Sequence, residues 1–304
     1  MMSHPSKVDP YLLRMYRHER LSRRQRMLRT CARRIPMYLV LLFFAFVFLF
    51  PLYYLFVLST HPSGQMLRIP PHLWFGPGLV RNLYELFGRI PFHLNIINSL
   101  GTTIGATVAA LFFCTMGGFA FAKYEFKGKP FFFALVLAVT AIPPFLNMVP
   151  FFRIMANLGW INTWLPLIVP MAANPLGIFL MAQFLQSAIP DALMDAARID
   201  GVSEIGMLPR IVFPLAKPAM AVLAIIIFVT TWNNFMGALV LMPSQRHTTI
   251  PVALSIFFDQ AQGQQGALMV GSAIAVLPLL LVFVFFSRRI ISGLTAGALQ
   301  GEAA

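Results

Sequence analysis

Ten residues, Asp195-Ala196-Ala197-Arg198-Ile199-Asp200-Gly201-Val202-Ser203-Glu204, concentrate charge in a chain whose charged residues amount to only 11%. Asp195 and Arg198 stand three apart, the spacing at which two side chains meet on one helix face. Gly201 permits the left-handed backbone that ends a helix, Ser203 can cap the next one, and Glu204 then falls in its first turn. Such a set makes no covalent chemistry; it suits charge-complementary docking of a short helix-turn-helix onto a soluble partner. A second group of residues suits solute binding. Asn147, Asn174, Gln183, Asn233 and Asn234, with Trp232 beside Asn233, lie inside apolar runs. Buried amides of this kind face an interior or a water-filled cavity, and an amide with an indole suits a hydroxylated solute. They equally suit hydrogen bonds between helices. Neither H-E-x-x-H nor G-x-S-x-G occurs, and His4, His18, His61, His72, His93 and His247 all avoid the middle of an apolar run, which argues against an intramembrane enzyme.

The elements that must carry these residues follow from composition. Hydrophobic residues are 58% of 304 positions and Phe alone accounts for 30, a composition that excludes a water-soluble surface. Counting about 20 apolar residues per membrane helix gives six spans: Met37 to Leu58, Ile96 to Ala122, Phe131 to Pro150, Thr163 to Leu185, Ala219 to Met242 and Ala267 to Phe286. The runs are continuous and do not alternate, so the chain is expected to be an all-α membrane protein. Pro143, Pro144, Pro150, Pro166, Pro170 and Pro175 should kink the third and fourth spans. The docking segment, about 187–214, then lies between the fourth and fifth spans, just outside the lipid.

Lys and Arg near the span ends set the orientation. Residues 1–36, the Lys123 to Lys129 loop, the 186–218 segment and the Arg288-Arg289 pair hold eighteen of the 23, while Arg68, Arg81, Arg89, Arg153 and Arg246 fall on the other side. Both termini and the docking segment are therefore expected in the cytoplasm. The net charge of +13 is mostly this topological bias, so no nucleic-acid partner is implied. The basic 1–36 segment is too long, and lacks the small-residue cleavage site, for a removable signal; it should remain as part of an anchor. The resulting division is a basic N-terminal segment 1–36, a transmembrane domain 37–289 and a C-terminal tail 290–304. Cys31 and Cys114 are expected to be free thiols. The 59–95 connection, with a mildly amphipathic Leu79 to Phe87 piece, and the Gln-rich 243–266 connection are expected outside.

Within the docking segment, Ile189-Pro190-Asp191 should open a helix with Asp191 favouring its macrodipole. A second helix should run from Ser203 to about Val212, and Pro214 and Pro218 should mark the return to the membrane.

Asp195-Ala196-Ala197, Asp200-Gly201, Ser203, Ile211 and Phe213-Pro214 resemble the EAA loop of permease subunits of binding-protein-dependent ATP-binding-cassette importers. Asp195 stands where that family usually carries Glu, which keeps the charge and shortens the reach. Asn98-Ser99-Leu100, Leu158-Gly159-Trp160-Ile161-Asn162-Thr163, Trp232-Asn233, Ile250-Pro251-Val252-Ala253-Leu254 and Gly293-Leu294-Thr295-Ala296-Gly297-Ala298, followed by Gly301, are similar to patterns of its carbohydrate branch, the MalG-type maltose permeases. The likeness covers roughly residues 37–301.

The resemblance implies a heteromeric inner-membrane importer for a sugar or related polyol. In it a second, dissimilar permease subunit completes the pathway, two cassette ATPase subunits bind the cytoplasmic face, and an extracytoplasmic substrate-binding protein delivers the solute. Asp195, Ala196, Ala197, Arg198, Asp200, Gly201, Ser203 and Glu204 would form the coupling helix, with Trp232, Asn233, Asn234, Asn147 and Asn174 as the solute pathway. The 243–266 stretch would reach toward the binding protein and the Gly293 to Gly301 tail toward the ATPase pair. ATP and Mg would be held by the ATPase subunits. No G-x-x-x-x-G-K-[ST] occurs here, so this chain is expected to bind no cofactor and to catalyse nothing itself. The alternative is an autonomous channel or secondary transporter for a small polar solute, which broken helices also suit; the near absence of Asp, Glu, Lys and Arg from the spans speaks against proton coupling.

Overall fold

The computed structural model describes the backbone of residues 10–65, 68–260 and 263–300, and side chains within 35–285 apart from 66, 67, 144, 261 and 262. Every regular element among them is helical. The chain divides into residues 1–57 and residues 58–304. Most of the first unit is helix α1 (Pro10–Ser59), which runs through Pro36 and Pro51 and whose Ile35–Ser59 stretch is long and apolar enough to cross a membrane. Phe43, Phe46 and Phe48 stand exposed along it, and Phe50 stacks on Tyr54 at 5.8 Å.

In the second unit the central element is α3 (Phe92–Lys123), 32 residues without a proline. It packs against α6 (Leu165–Ala172), α7 (Pro175–Ala188) and α10 (Phe213–Trp232). The approach is close because α3 offers small residues. A Cβ added at Gly118 would lie 2.5 Å from Met181 Cβ and 2.7 Å from the Ala182 backbone nitrogen, while Gly101 faces the Trp164 ring and Gly105 faces Ile168. Ala106, Ala110 and Cys114 of α3 are fully buried with Met181, Leu185, Leu223 and Ile227, so one apolar core joins α3, α7 and α10.

Among the described residues five helical stretches are long and apolar enough to cross a membrane: Ile35–Ser59, Phe92–Lys123, Leu165–Ala188, Glu204–Trp232 and Gln265–Phe285. The expected third span is not one rod. It is α4 (Lys129–Thr140) and α5 (Met148–Asn157), joined by a 3-10 turn at Pro144–Asn147 and bent by 97°. Pro143 and Pro144 remove two backbone donors there. Counting this pair as a sixth span restores the expected number.

Three boundaries differ from expectation. The fifth span ends at Trp232, nine residues before α11 (Phe235–Leu241) finishes, because Asn233 and Asn234 form a break. On its other side it does not restart at Pro214 or Pro218. Helix α9 (Glu204–Met207) passes through a π turn at Leu208–Val212 directly into α10. The Phe213 N–H reaches the Leu208 carbonyl, five residues back, and this wide turn accommodates Pro209 and Pro214, which cannot donate. Finally, the 243–266 connection contains a helix: α12 (Ile250–Gln260) buries Ile250, Ala253 and Phe257 in a second apolar cluster that includes residues of α13 (Gln265–Gln300), and Val252 in a third with Leu241 and Met242. Helix α2 (Leu79–Arg89) forms where the amphipathic piece was expected and packs on α13. The 1–9 and 301–304 ends, including Gly301, lie outside the described residues, as do the side chains of the Gly293 to Ala298 stretch.

Candidate docking site and solute pathway

The charged segment folds as a helix-turn-helix. Helix α8 (Asp191–Ile199) begins after Pro190, which occupies the cap position, with Asp191 as its first residue. It ends at Gly201, φ +76°, where the Val202 N–H reaches back to the Ala197 carbonyl at 2.9 Å. Ser203 Oγ accepts from the Gly206 N–H at 3.1 Å and caps α9. Met194 and Ala197 face the core with Met207, Leu208 and Val212, which anchors both arms of the turn on the same cluster as α3 and α7.

The side chains at the turn pair with one another, one cation, Arg198, standing between two carboxylates. Arg198 donates Nη1 to Asp195 Oδ1 and Nε to Glu204 Oε1, each at 3.0 Å. The Glu204 bonds, then the Asp195 pair, raise the Arg198 guanidinium pKa further above its usual value. Tyr124, just past α3, donates its hydroxyl to Glu204. Lys123 Nζ lies 2.8 Å from Asp191 Oδ1 and donates also to the Gln186 carbonyl. Its hydrogen bond, with its charge, holds the Asp191 carboxyl below the usual aspartate value. Sequence reasoning missed Lys123 and Tyr124, whose partners lie 68 and 80 positions away. It also missed two apolar residues. Ile199 and Ile205 flank the turn and are 87% and 80% exposed. A partial signal was available: Ile199 lies off the Met194/Ala197 stripe of α8, and Ile205 falls in the first turn of α9, away from the buried Met207. Both isoleucines thus stand bare at the turn, with Asp195 and Asp200 also exposed.

The amides expected to line a pathway are not gathered at one point. Asn174 and Asn234 sit at helix breaks and cap the following helices, accepting from Gly177 and Gly237 N–H groups at 2.9 Å. Asn147 precedes α5 inside the 97° bend, exposed and without a side-chain cap bond. Asn233 donates back to the Val229 carbonyl at 2.8 Å. Trp232 turns away from it: the indole is 3% exposed, stacks on Phe228 and donates Nε1 to the Ala275 carbonyl at 3.0 Å, so it packs α10 on α13. A cavity of about 430 Å³ does open beside the breaks, bounded by Phe145, Met148, Phe151, Pro170, Asn234 and Met236. Asn234 is its one amide, on otherwise apolar walls. Cys114 closes the α6–α7 break from the α3 side, its thiol 3.4 Å from the Ala172 carbonyl. Among the described residues no three His, Cys, Asp or Glu side chains gather as metal ligands.

The ends of this unit are built from distant segments. The opening of α3 holds the 244–250 stretch: Asn95 and Asn98 donate to the carbonyls of Gln245, Arg246 and Thr248, and Ser99 Oγ accepts from the Ile250 N–H. Asn162 joins His247 at 2.9 Å from the 158–163 turn. At the opposite end of α3 lies the helix-turn-helix.

Residues 114–295 match the family of binding-protein-dependent transport system inner membrane components. The chain belongs to that family. This permease is thus a multi-pass inner-membrane protein of a binding-protein-dependent transporter. It is 36% identical over 262 residues to the arabinooligosaccharides transport system permease protein AraQ of Halalkalibacterium halodurans, covering 85% of this chain and 94% of that one. With the trehalose/maltose transport system permease protein MalG of Thermococcus litoralis it shares 30% identity over 89% of this chain and 98% of the relative. Its fold is similar to that of a chain in the crystal structure of a bacterial ABC transporter involved in import of the acidic polysaccharide alginate, with a TM-score of 0.72, 21% identity and coverage of 84% and 95%.

Proposed function

We propose that this permease forms half of the translocation pathway of an ATP-binding-cassette importer for a neutral oligosaccharide or related polyol. A second, dissimilar permease subunit completes the pathway, two ATPase subunits hold ATP and Mg at the cytoplasmic face, and an extracytoplasmic binding protein delivers the solute. Asp195 to Glu204 is the element that seats in the ATPase, and both termini share its side of the membrane. The observation that carries this is the turn between α8 and α9. Its backbone is fixed by Gly201 and Ser203, its charges are largely tied to one another, and Ile199 and Ile205 are left bare. Two bare isoleucines on either side of one fixed turn, beside exposed carboxylates, suit a docking helix rimmed by charge.

The oligosaccharide class is supported by relatives named for arabinooligosaccharides and for trehalose/maltose. On the pathway side, Asn234 at the cavity, with Asn233, Asn147 and Asn174 at the adjoining breaks, offers amides to hydroxyl groups as the bent helices move. Trp232 serves that pathway by fixing α10. The test is purification of the tagged chain in mild detergent from its native host, with mass spectrometry of what accompanies it. A cassette ATPase, a second permease and a binding protein that retains radiolabelled arabino-oligosaccharide are expected. Recovery alone or as a homo-oligomer would replace this assignment with an autonomous channel or transporter.

A further inference from the structure

Helix α3 is clasped at both ends by side chains whose partners are remote in sequence. At its first turns Asn95 Nδ2 donates to the Gln245 carbonyl at 2.8 Å and the Thr248 carbonyl at 3.0 Å, and Asn98 Nδ2 to the Arg246 carbonyl at 2.8 Å and the Thr248 carbonyl at 3.2 Å. Asn98 Oδ1 in turn accepts from Trp164 Nε1 at 3.0 Å. Because their carbonyls are pinned inward, Gln245 and Arg246 hold their side chains exposed. At the last turn Lys123 bonds Asp191 and the Gln186 carbonyl, and Tyr124 bonds Glu204. Between the clasps the helix has no proline and no break over 32 residues, about 48 Å at 1.5 Å per residue. Its sides are seated on α6, α7 and α10, where close-packed glycines leave little room to flex. Helix α10 cannot do the same, since it stops at Trp232 before the extracytoplasmic loop begins.

We propose that α3 is a strut through which the 244–248 loop and the α8–α9 turn bias each other, with Asn95 and Asn98 as positioning residues at one end and Lys123 and Tyr124 at the other. This rests on the assignment above of the 243–266 stretch to binding-protein docking and of the turn to the ATPase. Coupling of two sites through one element is reciprocal: whatever nucleotide does to binding-protein affinity, binding protein does to nucleotide affinity. The physical warrant for such coupling is one element whose equilibrium both sites bias; α3 is bonded at both ends, and the experiment below measures that bias.

The experiment uses the complete importer in nanodiscs. The dissociation constant of the co-purified binding protein is measured with and without a non-hydrolysable ATP analogue, and the ratio of the two is the coupling factor. Tyr124→Phe deletes one hydroxyl and keeps the ring that packs edge-on against Phe119. It should bring the factor at least about threefold closer to unity, within the usual 5- to 150-fold span of such coupling, and leave the nucleotide-free constant within about twofold. Asn98→Ala should also reduce the factor, and the double variant should lose no more than the worse single one, as expected for two points on one connection. An unchanged factor in Tyr124→Phe, or losses that multiply in the double variant, would overturn the strut. A wild-type preparation lacking ATPase and binding protein would instead overturn the functional assignment on which it stands.

Discussion

Tyr124 and Glu204 are hydrogen-bonded across 80 positions of sequence, the phenol donating to a carboxylate that also accepts from Arg198. Burial, then the bond to Glu204 and its negative charge, push the Tyr124 phenol up from 10.0 to about 12, with Arg198 acting in the opposite direction. The folded value lies above the unfolded one, so the contribution is complete below pH 10.0 and is lost as pH rises through about 12. Ultraviolet difference titration of wild type against Tyr124→Phe should show one tyrosine ionising late; a full set titrating together near the ordinary value would contradict the bond.

Gly201 should tolerate no β-branched residue. A Cβ there meets nothing within 4 Å, so the Cβ of Gly201→Val is opposed by the φ of +76° and not by a clash, a cost of about 1–2 kcal/mol or more for an L side chain. Membrane insertion should be normal while ATPase co-purification falls. Gly201→Asn, which visits this region more easily, should be intermediate. Equal transport by both variants would place docking elsewhere.

Ile199 and Ile205 can be separated from folding altogether. Replacing either with Gln removes an apolar group that is already bare and adds no charge beside Asp195 and Asp200, so thermal stability of the detergent-solubilised permease should change by under about 0.5 kcal/mol. ATPase retention on a tagged-permease column should fall at least about tenfold, equivalent to about 1.4 kcal/mol of docking energy. Undiminished retention would remove the isoleucines from the interface.

The glycines of α3 should differ sharply. At Gly118 an added methyl would collide with Met181 Cβ and the Ala182 backbone, neither of which can swing aside, whereas at Gly105 it would meet the flexible end of Ile168. Gly118→Ala should therefore lower the thermal midpoint by the full overpacking cost of about 1–3 kcal/mol, and Gly105→Ala by clearly less. The reverse order would mean that α7, not α6, yields.

What could be read from sequence was local. Asp195 with Arg198, Gly201 and Ser203 act on partners within a few residues, so spacing and residue type sufficed. The breaks at Asn174 and Asn234 were marked by polar residues in apolar runs, though their role as caps depends on backbone geometry. Trp232 and Asn233 were paired because they are adjacent, yet the helix end at Trp232 sends one side chain into the core and the other outward. The unbroken passage from Glu204 to Trp232 was hidden by Pro209, Pro214 and Pro218, since a π turn that absorbs missing donors has no simple sequence mark. Lys123, Tyr124, Asn95 and Asn98 acquire partners only when segments some 60 to 150 positions apart are brought together, which no local pattern encodes.

That unbroken passage has a bearing on how tightly ATP consumption and solute movement are geared. Between Ser203 and Trp232 there is no break in the helix, only one widened turn wedged in the core. A rotation started at the turn is carried toward the Asn233–Asn234 break, beside the cavity, by one continuous helix whose bending points are the π turn and Pro218. If the turn seats in the ATPase as proposed, cycles of hydrolysis that move nothing are then expected to originate chiefly where separate proteins meet, not along this continuous helix.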